Sequence, residues 1–174
     1  RREMAVRTVF NLLGPLTNPA SAPNQLLGVF AEEWVEPVAH VLARLNSNHV
    51  LVVHSDDGMD EISIGAPTSV AELREGSVST YKIAPSDFGI AEAPLSSVVV
   101  SNVEESEAVV RAVLDNEPGP ARDIVLLNAG AALYAADLTD SIATGIDMAR
   151  NSLASGQALQ RVEMLAELSQ KLAP

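Results

Sequence analysis

The sequence predicts an α/β fold with a mostly parallel sheet and flanking helices. Three observations carry that expectation. Two short, continuously apolar runs, residues 25–30 and 49–54, bracket a stretch whose apolar residues recur at helical spacing. Runs that are apolar without alternation suit strands buried on both faces, as in parallel sheets joined by crossover helices. The last third of the chain carries only helical periodicity, so helices collect toward the C-terminal end.

Taken in order, residues 1–7 hold three arginines and read as the end of a helix. Residues 8–24 are rich in Gly, Pro and Asn, yet contain Val9, Phe10, Leu12, Leu13 and Leu16. They read as an ordered loop pinned by apolar anchors. After the first strand, residues 33–46 form a helix on the spacing of Trp34, Val38, Val41, Leu42 and Leu45. Pro37 falls near its first turn, where a missing N–H costs little. The second strand follows, through a right-handed crossover. Residues 69–74 and 77–83 flank Glu75-Gly76, a hairpin signal. Residues 85–89 read as a turn and 95–100 as another apolar run. Ser101-x-x-Glu104 reads as a capping box for a helix through Leu114. Residues 121–136 are apolar nearly all round and dense in small residues, which calls for burial against close neighbours. Ile142, Ile146, Ala149 and Leu153 mark the next helix, and Gly156 is its stop. Leu165, Leu168 and Leu172 mark the last.

Composition excludes several function classes. The 174 residues include no cysteine, which removes disulfides and thiolate metal sites and fits a reducing cytosol. Only 3% are aromatic, so aliphatic side chains build the core. A net charge of −12 argues against nucleic acid, whose phosphates need a basic face. No apolar run reaches membrane-span length. Walker-type and Rossmann glycine fingerprints are absent, and Ser55 lacks a nucleophile-elbow context.

The chemistry concentrates after the second strand, because ligands of open α/β sheets bind beyond the carboxyl ends of strands. There the chain reads Ser55-Asp56-Asp57-Gly58-Met59-Asp60-Glu61. Its four carboxylates repel unless they spread into water or share a cation. The loop is either a solvated acidic turn or a Mg²⁺ site, since Mg²⁺ takes one or two carboxylates and completes its shell with water and phosphate. Arg1 is either an exposed terminal residue or a fork for a carboxylate, with Arg2 and Arg7 as near neighbours in sequence. Gly14 is either turn chemistry or a place where backbone approaches a flat ring. Asn11 and Asn18 bond their loop to itself. Of the histidines, His40 reads as partly buried, His49 as exposed, and His54 as a satisfied strand-end residue. Their spacing is not that of metal ligands.

The stretch T-V-F-N-L-L-G-P-L-T-N-P, residues 8–19, resembles the signature segment of anthranilate phosphoribosyltransferases, enzymes of tryptophan biosynthesis. H-S-D-D-G-M-D-E at 54–61, S-D-F-G at 86–89 and L-N-A-G-A-A-L-Y at 127–134 are similar to family segments in the same order. The resemblance implies part of the large α/β domain of a nucleoside phosphorylase/phosphoribosyltransferase-like fold, with residues 1–174 as one C-terminal catalytic portion. It implies Mg²⁺ held by Asp60 and Glu61 for use of phosphoribosyl pyrophosphate. It implies Arg1 as the grip on the anthranilate carboxylate and Gly14 as lining of the anthranilate site. No catalytic base is implied, because a neutral aromatic amine is already a nucleophile. The complete enzyme is implied to be a cytoplasmic homodimer without nucleic-acid or membrane partners.

The family's G-T-G-G-D phosphate loop and K-H-G-N segment have no counterpart in these residues. The resemblance thus implies an N-terminal half outside the chain, and no turnover by the 174 residues alone. Two other readings are a pyrimidine nucleoside phosphorylase-type enzyme and a non-catalytic binding domain of the same fold.

Overall fold

The computed structural model describes residues 13, 14, 16, 17, 19 and 21–172. A four-stranded sheet runs in the order β1 (Asn24–Gly28), β2 (His49–Ser55), β3 (Thr68–Arg74), β4 (Ser77–Ile83). Helix α1 (Val35–Arg44) crosses between β1 and β2, which pair in parallel from Asn24 with His49 to Gly28 with Val53. The strand–helix–strand unit expected at 25–54 is therefore present.

The sheet is mixed rather than mostly parallel. β2 pairs antiparallel with β3, and β3 with β4. The physical reason is the connections: a parallel return is usually carried by a crossover helix, and neither the turns of residues 56–67 nor the two-residue β3–β4 link forms one. The β3–β4 link is a tight hairpin with Glu75 at φ 51° and Gly76 at φ 77°, the positive pair that a type I′ turn requires.

Helices α2 (Val103–Leu114), α3 (Pro120–Ala135), α4 (Ile142–Ala154) and α5 (Gln157–Leu172) follow. Alternation along β2 sorts the core into two layers. Val50 and Val52 join Leu27, Val38 and Leu42 in the layer that includes α1. Leu51 and Val53 join Ile62, Leu126, Leu127 and Ile146 in the layer that includes α3 and α4. Each fully buried aliphatic side chain in these layers contributes about 1.5–3 kcal/mol of transfer free energy.

Helix α3 has the close neighbours its small residues call for. A β-carbon on Gly130 would lie 2.5 Å from Ile146 Cγ1 and 2.7 Å from Ile146 N, and one on Gly145 would overlap the Gly130 carbonyl. The backbones of α3 and α4 thus meet at this glycine pair.

Two expectations shift, while the last helix forms where its leucines mark it. The cap of α2 is Asn102, one residue later than expected: its side chain accepts from Glu105 N (2.8 Å), and Glu105 accepts from Ser101 N (2.8 Å). The run at 95–100 forms a 3₁₀ turn (Leu95–Ser97) and no strand, with Val99 exposed. On α5, Leu165, Leu168 and Leu172 stand in solvent, with none of the helix's residues buried. Among the described residues no helix is long and apolar enough to cross a membrane.

Candidate active site

Gly28 and Ser55 end the two parallel strands side by side, and the acidic loop leaves from Ser55. Ser55 N donates to Met59 O (2.9 Å), and Gly58 N to Ser55 O (2.9 Å), closing a tight turn. The loop then runs against β1, where the Asp60 carbonyl occupies the space a Gly28 β-carbon would need. Beyond it, Ile62 turns into the core.

The four acids divide into two kinds. Asp56 accepts from Lys82 Nζ at 2.7 Å. Asp57 Oδ2 accepts from Ser63 Oγ at 2.5 Å, and its Oδ1 from Met59 N at 3.3 Å. Burial pushes the Asp57 carboxyl up, but hydrogen bonds from Ser63, Ser55 and Met59 together hold it below its ordinary value. Among the described residues, the exposed side chains of Asp60 and Glu61 have neither a hydrogen bond nor an ion pair. No group of three or more His, Cys, Asp or Glu among the described residues could hold a metal ion by itself. Two unspent carboxylates nevertheless match the donor set of Mg²⁺, which draws its other ligands from water and phosphate.

A second restraint comes from α3. Asn128 Oδ1 accepts from Ile62 N (3.0 Å), and its Nδ2 donates to Ile62 O (2.8 Å) and to Ile124 O (3.0 Å). The sequence reading missed this residue. A lone amide in the otherwise apolar run 124–133 was the available signal, because buried amides need partners. Ser63 N donates to Thr68 Oγ1 (3.2 Å) and Gly65 N to Ser63 Oγ (2.9 Å), which ties the far side of the loop.

Gly14 lines a cleft of about 490 Å³ with Thr17, Pro19, Leu26 and Gly28. A β-carbon on Gly14 would meet nothing within 4 Å. Gly28 thus borders both the Gly14 cleft and the acidic loop. Arg1, Arg2, Arg7, Asn11 and Asn18 lie outside the described residues.

The histidines separate from the site. His54 Nδ1 meets the Val29 carbonyl at 2.8 Å, the satisfied strand-end role expected of it. His40 is exposed rather than partly buried, 3.5 Å from Glu36 on the outer face of α1. His49 is 1% exposed rather than open to solvent. Its Nδ1 lies 2.7 Å from Asp137 Oδ1 and its Nε2 3.0 Å from Glu72 Oε1. Glu72 also accepts from Tyr134 OH (2.6 Å) and Tyr81 OH (2.9 Å), and Asn24 Nδ2 donates to Asp137 (2.9 Å). Burial and then the Glu72 charge push the Tyr81 hydroxyl far up. Hydrogen bonds from His49 and then Asn24 hold the Asp137 carboxyl below its ordinary value. This network sits at the amino end of β2, opposite the acidic loop.

Residues 1–159 match the family model described as "Glycosyl transferase family, a/b domain". Among curated relatives, the anthranilate phosphoribosyltransferase of Thioalkalivibrio sulfidiphilus is 61% identical over 97% of this chain and 50% of its own length. That of Methylococcus capsulatus is 58% identical over 99% and 51%. The chain therefore spans about half the length of the curated relatives it matches. Among solved structures, the anthranilate phosphoribosyltransferase of Thermus thermophilus aligns with a TM-score of 0.85 at 44% identity, covering 94% of this chain and 48% of that one. The Saccharomyces cerevisiae enzyme in complex with PRPP and Mg aligns at 0.80 with 30% identity, covering 91% and 46%.

Proposed function

The chain belongs to the glycosyl transferase family, as its a/b domain, and from that premise we propose that it serves anthranilate phosphoribosyl transfer. The 5-phosphoribosyl group of phosphoribosyl pyrophosphate passes to the anthranilate amine, and diphosphate leaves. The names of its relatives support the reaction. The observation that carries the reading is the division of the acidic loop: Asp56 and Asp57 are spent on the protein, while Asp60 and Glu61 face solvent.

Asp60 and Glu61 are the residues that would hold Mg²⁺. When bound, the ion supplies neutralisation of the charge that builds on the departing diphosphate. A relative in complex with PRPP and Mg supports that choice. Arg1 orients the acceptor by holding its carboxylate with two parallel hydrogen bonds. Gly14 lines the side of the cleft where an aromatic ring would lie. No residue is assigned as a base, since the amine attacks in its neutral form. The protein works in the cytoplasm, as a homodimer.

The test is loss of anthranilate fluorescence with phosphoribosyl pyrophosphate and Mg²⁺, in the protein that carries this chain. Asp60→Ala should lower kcat/KM for phosphoribosyl pyrophosphate by about 100-fold. Arg1→Ala should chiefly raise the anthranilate KM. A parent without turnover, or an Asp60→Ala variant with undiminished turnover across a Mg²⁺ titration, refutes the reading.

A further inference from the structure

We propose that Asn128 is a positioning residue for Asp60 and Glu61, acting through the Ile62 peptide. The inference rests on the reading of that acidic pair as the metal-binding pair.

Asp60 and Glu61 lie on a loop, and a loop alone does not fix two carboxylates relative to each other. Precision must come from what holds the backbone on either side. On the near side the Asp60 carbonyl is pressed against Gly28 at the end of β1. On the far side the next residue after Glu61 is Ile62, whose side chain is buried and whose N–H and C=O are both taken by one side chain. The Asn128 amide reads the Ile62 peptide as a neighbouring strand would, donor to acceptor and acceptor to donor. Its remaining N–H bonds the Ile124 carbonyl within α3, which fixes the amide's orientation. Helix α3 is in turn locked to α4 at Gly130. The acidic pair is therefore registered against the helical layer, not only against the sheet. Groups that orient metal ligands from behind are worth about 10–100-fold in metal affinity.

Substitution separates this role from a general contribution to folding. Asn128→Leu keeps the bulk and removes both the acceptor of the Ile62 N–H and the two N–H donations. Asn128→Ala removes the same three bonds and the bulk. In the protein that carries this chain, Mn²⁺ binding in the presence of phosphoribosyl pyrophosphate is read by water-proton relaxation, and amide exchange is read at Ile62 and at Val52 in β2. The expected result is an apparent Kd for Mn²⁺ raised about tenfold. The KM for phosphoribosyl pyrophosphate rises with it, while the anthranilate KM holds. The Ile62 amide exchanges faster, and Val52 keeps its protection. Should the Ala variant fail to fold, the Leu variant carries the test. An unchanged Mn²⁺ Kd in a folded variant whose Ile62 amide has lost protection overturns the proposal, as does an Ile62 amide that stays protected. Parent protein that does not bind Mn²⁺ with phosphoribosyl pyrophosphate overturns the reading of Asp60 and Glu61 itself, and the inference falls with it.

Discussion

The peptide carbonyl of Asp60 fills the space that a β-carbon on Gly28 would need. The obstacle is backbone, not the yielding end of a long side chain, so one strand end and the acidic loop fit only while position 28 has no side chain. Gly28→Ala should force the loop away and destabilise the fold by about 1–3 kcal/mol. Urea unfolding checks this, and an unchanged midpoint would show that the loop absorbs the methyl group freely.

The glycine pair between α3 and α4 sets two effects against each other. Alanine is favoured over glycine in a helix interior by about 1 kcal/mol. A β-carbon at Gly130 would sit 2.5 Å from Ile146 Cγ1 and 2.7 Å from Ile146 N. Overpacking against a fixed backbone costs about 1–3 kcal/mol, so Gly130→Ala should be net destabilising. A raised melting temperature would mean the helices separate at little cost.

His49 joins two acids that are otherwise far apart in sequence. His49→Phe keeps the bulk but strips both Glu72 and Asp137 of a partner. Glu72 is mostly buried, and leaving such a carboxylate without its partner costs about 3 kcal/mol. The two tyrosine hydroxyls that still donate to Glu72 soften that loss. Equilibrium unfolding of the variant measures it, and wild-type stability would mean the network is ornamental.

The Asp137 carboxyl is held down in the folded state by His49 and Asn24. Between its depressed folded value and the ordinary 3.8, the unfolded chain binds the proton that the folded chain refuses. Stability from this group is thus present above about pH 4 and falls away as pH drops through the folded value. Asp137→Asn should flatten the acid limb of the stability profile below pH 4 and leave the neutral region with a uniform offset. An acid limb of the same slope in both proteins would contradict the assignment.

Local chemistry made much of this fold legible. The continuous apolarity of 49–54 marks a strand buried on both sides, and Val50 and Leu51 do face opposite layers. Glu75-Gly76 fixes the hairpin, and the small residues of 129–132 mark the tight helix crossing. The direction of β3 was not legible, because the segment between Ser55 and Thr68 carries no pattern that separates a return from a crossover. The cap of α2 slipped by one because Ser101 and Asn102 both suit a cap, and Glu104 and Glu105 both suit the reply. His49 misled because a strand's first residue is commonly wet, and its partners lie 23 and 88 positions away. Asn128 signalled that it needed a partner but not which one, because its partner peptide is 66 positions distant. In the acidic loop the spacing offered four carboxylates, and only their tertiary neighbours divided them two and two.

β2 runs from His49 to Ser55, a length of about 20 Å. At its first residue, acids, an imidazole and hydroxyls are consumed by one another; beyond its last, two carboxylates have no protein partner among the described residues. Satisfied and unsatisfied polar groups are therefore loaded on opposite ends of a single strand. Substitutions at the two ends are far enough apart to add rather than compound. A lineage could trade away stability around His49, or retune the acids after Ser55, without one change dictating the other.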